Sequence, residues 1–106
     1  MTELTDENFT NVIEDGVHVI DFWATWCGPC KMYGPIFTGV AESFKDDDTI
    51  HMHKADIDSV PGIATQLGIT AVPSTVFIKD GEVVKTVSGV QMANDLIEAI
   101  NTLKDM

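Results

Sequence analysis

VHVIDFWATWCGPCK, Val17 to Lys31, joins an apolar run to the only two cysteines in the chain, Cys27 and Cys30. From Val17 to Ala24 apolar residues occupy both alternating sets of positions, which predicts a strand covered on both faces, as at the centre of a largely parallel sheet. After Cys27 the period changes. Met32, Ile36, Val40 and Phe44 recur every four residues and predict a helix from Cys27 to about Phe44, with Pro35 inside it predicting a kink. Gly28 allows the sharp turn between strand and helix. Pro29 suits a first helical turn, where its missing N–H would have no partner.

Towards the N-terminus, Thr5 followed by Asp6 and Glu7 reads as a helix start, with Phe9, Val12 and Ile13 at helical spacing and a short edge strand before it around Glu3 and Leu4. Asp46 to Asp48 end the long helix, and Thr49 to Ile57 reads as a strand. Val60, Ile63, Ala64 and Leu67 form a short helical stripe stopped by Gly68. Ser74 to Ile78 and Glu82 to Ser88 are β-rich runs separated by Lys79, Asp80 and Gly81, a gap that fits only a tight antiparallel turn. Leu96, Ile97, Ile100 and Leu103 mark the last helix. The expected architecture is α/β: a central mixed sheet of four to five strands, parallel and antiparallel, with helices on both faces.

A chain of 106 residues forms one domain, 1–106, large enough to bury a core without disulfides or metals. Seventeen acidic residues against six lysines, with no arginine, give a net charge of -11 and exclude nucleic acid as a partner. The acids are scattered, which reads as a solvated surface. No stretch is apolar enough to cross a bilayer, so no membrane association is expected. The start, MTELTDENFT, lacks a basic and apolar leader, so the expected location is cytoplasmic. Nothing demands more than a monomer.

Cys27 and Cys30 could be a structural staple, half of a zinc site, or a reagent. A core of this size needs no staple. Zinc needs four ligands, and beyond the cysteines only His18, His51 and His53 are candidates; His51-Met52-His53 lies on a predicted strand, outside the usual ligand spacing. The redox reading has a mechanism. A thiolate attacks disulfides, and a cysteine at a helix N-terminus ionises easily because unpaired N–H groups and the helix dipole favour its charge. That makes Cys27 the nucleophile. Cys30, one turn further in and partly shielded, is placed to resolve the mixed disulfide.

DFWATWCGPCK resembles the active-site signature of the thioredoxin family. The likeness extends through Pro35, Lys54, Asp56-Ile57-Asp58, Gly68-Ile69, Val72-Pro73, Gly81 and Gly89 and covers nearly the whole chain. The resemblance implies the thioredoxin fold and a protein disulfide reductant that needs no cofactor beyond its Cys27–Cys30 disulfide. Its implied partners are disulfide-containing client proteins and a separate thioredoxin reductase, NADPH- or ferredoxin-linked. Pro29, between Gly28 and Cys30, accompanies reducing rather than oxidising members. An oxidase or isomerase domain and a thiol-independent binding module are the rival readings.

Asp21 sits mid-strand between Ile20 and Phe22, where a carboxylate is costly to bury and its pKa rises toward neutrality. The family role for that position is to deprotonate Cys30, with Lys54 close by and tuning it. The alternative is an acid that emerges at the sheet edge. The resemblance also implies that Gly28, Pro29 and a cis Pro73 tune the dithiol. It implies as well a client-docking patch of Trp26, Gly28, Pro29, Val72, Pro73 and Val90, with Trp26 exposed and Trp23 packed against the loop. Ser74, His53 and Met92 depart from the family pattern. His53 is expected to be a hydrogen-bonded buried histidine that makes stability depend on pH. Met92 leaves the last helix capped by Asn94 or not at all.

Overall fold

Val17–Trp23 (β2) is the centre of a five-stranded sheet in a computed structural model that describes all residues, 1–106. Around it the sheet runs β1-β3-β2-β4-β5, with β1 at Thr2–Glu3, β3 at Ile50–Asp56, β4 at Ser74–Lys79 and β5 at Glu82–Ser88. β1 and β2 are each parallel to β3, whereas β4 runs antiparallel to both β2 and β5. The mixed sheet is thus built as the run lengths and the short 79–81 gap imply. The hairpin turn is tighter than expected, because Lys79 still pairs with Glu82 and only Asp80 and Gly81 turn. Both have positive φ, 50° and 84°, as a two-residue turn that matches strand twist requires.

Helices α1 (Phe9–Val12) and α3 (Pro61–Leu67) cover one face, and α2 (Gly28–Ser43) and α4 (Ala93–Lys104) the other. Each face seals its own core. Ile20, Phe22, Val76 and Ile78 meet Phe9 and Ile63 on the first; Val17, Val19 and Phe77 meet Tyr33, Phe37, Leu96 and Ile100 on the second. β2 contributes to both, so its apolar run has no polar face.

The long helix forms as its four-residue recurrence implies, but that row is not its buried face: Met32 is exposed, Ile36 and Phe44 are half-buried, and the buried side chains are Cys30, Tyr33, Phe37 and Val40. Strict four-residue spacing drifts about 40° per step around a helix of 3.6 residues per turn, so that row cannot keep one face from end to end. The regular part of the first helix is Phe9–Val12, but its first turn opens at Thr5 as expected, since the Phe9 N–H donates to the Thr5 carbonyl oxygen at 3.2 Å. Thr5 and Asn8 close that turn on each other: the Thr5 N–H donates to Asn8 Oδ1 (2.9 Å) and the Asn8 N–H to Thr5 Oγ1 (3.0 Å). The last helix, α4, has Met92 at its N-cap and no side-chain cap, the second of the two outcomes expected for it.

Asp6 finds a distant use. Its carboxylate accepts the N–H groups of Gly62 (3.1 Å) and Ile63 (2.9 Å), the free amides of α3 that Val60, at its N-cap, cannot satisfy. A Cβ on Gly62 would stand 3.1 Å from that carboxylate, which explains the glycine. Asp6→Ala should therefore lower stability by about 1–2 kcal/mol, the range for losing a side-chain cap. Urea unfolding at pH 7 checks this, and an unchanged midpoint would remove the cross-chain cap from the account.

At the end of the sheet away from the cysteines, His18 Nε2 lies 2.6 Å from the Asp15 carbonyl oxygen and so carries hydrogen. Its Nδ1 then accepts from His53 Nε2, 2.8 Å away. Both rings are buried, and His53 Nδ1 is left enclosed with no partner. His53 is the hydrogen-bonded buried histidine expected, with His18 as the partner that sequence could not supply.

Candidate active site

β2 stops at Trp23, the chain turns through Ala24–Trp26, and α2 starts at Gly28, with Cys27 as its N-cap in extended geometry (φ -93°, ψ 112°). The Cys27 N–H donates to Ala24 O at 3.2 Å, closing the turn. The Cys30 N–H donates to Cys27 Sγ at 3.1 Å. Sulfur thus takes the place of a capping oxygen, and an opened amide of the first helical turn points at it. Pro29 withdraws one N–H from this turn where none was needed.

Cys27 and Cys30 are joined as a disulfide with Cα atoms 5.3 Å apart. Both are buried, at 4% and 7% exposure respectively. Cys30 is shielded as expected, and in this oxidised state Cys27 is enclosed as well. What separates them is the backbone: only Cys27 stands at the helix cap.

Asp21 is 1% exposed in the middle of β2, which rules out an acid at the sheet edge. Burial pushes its carboxyl up from 3.8 to about 6, against the opposing pull of the Lys54 ammonium and with a smaller push from Glu3. Lys54 is its register partner on β3 but forms no ion pair with it. The Lys54 ammonium lies instead against α2, 3.4 Å from where a Cβ on Gly34 would stand. Asp21 Oδ1 is enclosed and accepts no hydrogen bond. A cleft of about 930 Å³, lined among others by Asp21, Trp23, Cys30, Gly34 and Lys54, puts the acid, the inner cysteine and the ammonium on one space.

On the other side of the cysteines the Val72–Pro73 peptide is cis, and the Val72 carbonyl oxygen lies 3.6 Å from Cys27 Sγ. The Gly89 N–H donates to Pro73 O at 2.8 Å and so fastens the Val90 segment to this loop. Trp26 is 69% exposed, and Gly28 and Pro29 are exposed beside it. Val72 and Val90 are half-buried and Pro73 is buried, so Pro73 supports the patch from beneath rather than presenting a surface. Trp23 packs on Ala24, Cys27 and Cys30.

Two side-chain hydrogen bonds join the site to residues that were given no role in the sequence. Trp26 Nε1 donates to Asp58 Oδ2 at 2.9 Å, which holds the exposed indole beside Cys27. Tyr33 and Thr75, both fully buried, hydrogen-bond through their hydroxyls at 2.7 Å. Tyr33 falls one helical turn after Cys30, a spacing visible in the sequence. Thr75 required the β2–β4 register, which sets it opposite Asp21. No group of three or more His, Cys, Asp or Glu side chains is arranged to hold a metal ion.

A family model described as Thioredoxin matches residues 1–102. A thioredoxin of Staphylococcus saprophyticus is 39% identical over 100 residues, covering 94% of each chain. One of Staphylococcus aureus is 36% identical over 101 residues, covering 95% of each. Among solved structures, Malassezia sympodialis thioredoxin superposes with a TM-score of 0.87 at 39% identity, covering 97% of this chain and 92% of that one. A chain from a study of thiol resolution in yeast mitochondrial 1-Cys peroxiredoxin via the glutathione/thioredoxin systems gives 0.85 at 36%, covering 96% and 94%.

Proposed function

Since the chain belongs to the thioredoxin family and is a thiol-disulfide oxidoreductase with protein-disulfide reductase activity, we propose that Cys27 is its attacking thiolate, Cys30 its resolving thiol and Asp21 the base that frees Cys30. The observation that carries this assignment is the Cys30 N–H aimed at Cys27 Sγ at the start of α2. The same amide and the helix dipole stabilise negative charge on that sulfur once the disulfide is opened.

In the forward reaction the Cys27 thiolate attacks one sulfur of a client disulfide, forming a Cys27–client bond and releasing the other client sulfur as thiolate. The Cys30 proton passes to Asp21. Cys30 Sγ then attacks Cys27 Sγ, the Cys27–Cys30 bond forms, and the second client sulfur leaves with the electron pair of the broken bond. The client gains two electrons and, with solvent protons, two thiols. A separate thioredoxin reductase returns both electrons. Lys54, beside Asp21 across the strand pair, tempers the cost of the carboxylate. The work fits a reducing compartment such as the cytoplasm.

Client segments dock on Trp26, Gly28, Pro29, Val72 and Val90, with the Val72 backbone offering strand-like hydrogen bonds to an extended client chain. Pro73, buried below, shapes that edge together with Gly28 and Pro29. Cys30→Ser is the direct test. It should accumulate client proteins bound through Cys27 and released by dithiothreitol, whereas the double variant Cys27→Ser/Cys30→Ser should trap none. Adducts absent from the single variant, or steady turnover by it, would contradict the assignment.

A further inference from the structure

Asp21 is enclosed with a bare Oδ1 and no ion pair, yet it must give up and regain a proton if it serves Cys30. Around it stand Lys54 from β3, Glu3 from β1, and Cys30 and Tyr33 from α2, while Lys31 and Glu42 line the cleft it opens on. α4 brings only apolar side chains, Leu96, Ile100 and Leu103 foremost, to the core on this face. β4 brings Thr75, directly opposite Asp21 in the antiparallel register and therefore on the same face of the sheet.

Thr75 Oγ1 and Tyr33 Oη are 2.7 Å apart, and Tyr33 also donates toward Gln91 Oε1 at 3.4 Å. The two hydroxyls share a face with the acid and have no exposure of their own. Burial, partly offset by the Thr75 hydrogen bond, pushes the Tyr33 hydroxyl up to about 12, and the charge of Asp21 adds to the rise. Tyr33 is therefore a dipole, never a charge, under working conditions. Hydroxyl hydrogens rotate. Each O–H can turn toward a neighbouring oxygen or toward a carboxylate, so a linked pair answers ionisation with little movement of heavy atoms.

Resting on the reading of Asp21 as the base for Cys30, we propose that Tyr33 and Thr75 are positioning residues for that proton transfer, their hydroxyl pair forming the adjustable polar wall that lets the enclosed Asp21 carry charge. Gln91, half-buried next to Val90, joins this wall to the rim of the docking patch.

The test follows the Asp21 carboxyl by 13C NMR in the reduced protein, alongside the pH profile of disulfide reduction. Tyr33→Phe and Thr75→Val each remove one hydroxyl with little change of shape, and each should move the carboxyl midpoint and the acid limb of the rate upward by about half a pH unit or more, as loss of hydrogen-bonding dipoles near a carboxylate does. Thr75→Ser keeps the hydroxyl and should restore the original midpoint, an outcome that loss of packing alone does not produce. Midpoints unmoved in the two truncated variants overturn the proposal. Because they cut opposite ends of one bond, either suffices if the other does not fold. Asp21→Asn tests the underlying reading separately: an acid limb that survives in it removes Asp21 from the mechanism, whereas the NMR midpoint still reports on the hydroxyl pair.

Discussion

Asp21→Asn is expected to make the protein more stable at pH 7 by about 2–3 kcal/mol while slowing disulfide reduction at least about tenfold. The gain follows from the raised carboxyl. A group near 3.8 in the unfolded chain and about 6 in the fold is bound by protons more tightly when folded. Its contribution is complete below pH 3.8 and is lost as pH rises through 6, at about 1.4 kcal/mol per unit of displacement. At pH 7 the native acid is mostly ionised and that loss is complete. A carboxamide resembles the protonated acid and escapes it. The rate falls because Cys30 then loses the enclosed carboxylate proposed as its base, and general-base contributions of this kind are about 10²–10⁴. Urea unfolding and stopped-flow reduction of a protein disulfide read the two effects. A variant that is both less stable and equally fast would remove Asp21 from both roles.

The second large effect has the opposite sign with pH. His53 is held down to about 4 from 6.5, first by burial and then by its neighbours His18 and His51 and the N-terminal amine. His18 is lowered too, with Asp15 and Asp80 pulling the other way. A depressed histidine takes up protons in the unfolded chain before it does so in the fold. Stability is therefore intact above pH 6.5 and drains as pH falls toward 4, by about 3 kcal/mol for His53 alone. Protonating the enclosed Nδ1 of His53 would also place a charge where no acceptor waits. Across this same window Asp21 regains its proton and stabilises the fold by a similar amount. The wild-type protein should thus change little in stability between pH 6.5 and 4. Asp21→Asn should lose about 3 kcal/mol over that interval. His53→Gln, which keeps a side-chain N–H for His18 Nδ1, should instead gain stability on acidification. Urea midpoints at pH 4, 5 and 6.5 decide it, and three parallel curves would show that neither buried group governs the acid response.

Much of the site was legible in the chain because it is local. The apolar run ending at Ala24, the two cysteines and Pro29 fall within a few residues, and helix capping acts over the same distance. Cys27 at the cap and the buried carboxylate of Asp21 both follow from that spacing. The short gap at 79–81 likewise forces a hairpin. The four-residue recurrence from Met32 to Phe44 marks α2 as a helix but not the face it buries, since the core takes Tyr33, Phe37 and Val40. Thr5 opens the first helical turn as its spacing implies, whereas Asp6, expected as an acid of that turn, is drawn to amides 56 and 57 positions away.

By itself the sequence determined which segments are strands and helices, where the thiols meet a helix start, and that an acid would lie in the central strand, since periodicity and caps are properties of neighbouring residues. Tertiary structure alone decided that His18 answers His53 across 35 positions, that Asp6 caps a helix it does not belong to, and that Thr75 faces Asp21 and meets Tyr33 across 42. It also left both cysteines equally enclosed. These partners depend on strand register and helix docking, which are set when two apolar faces of the sheet are buried at once and which no local run of residues encodes.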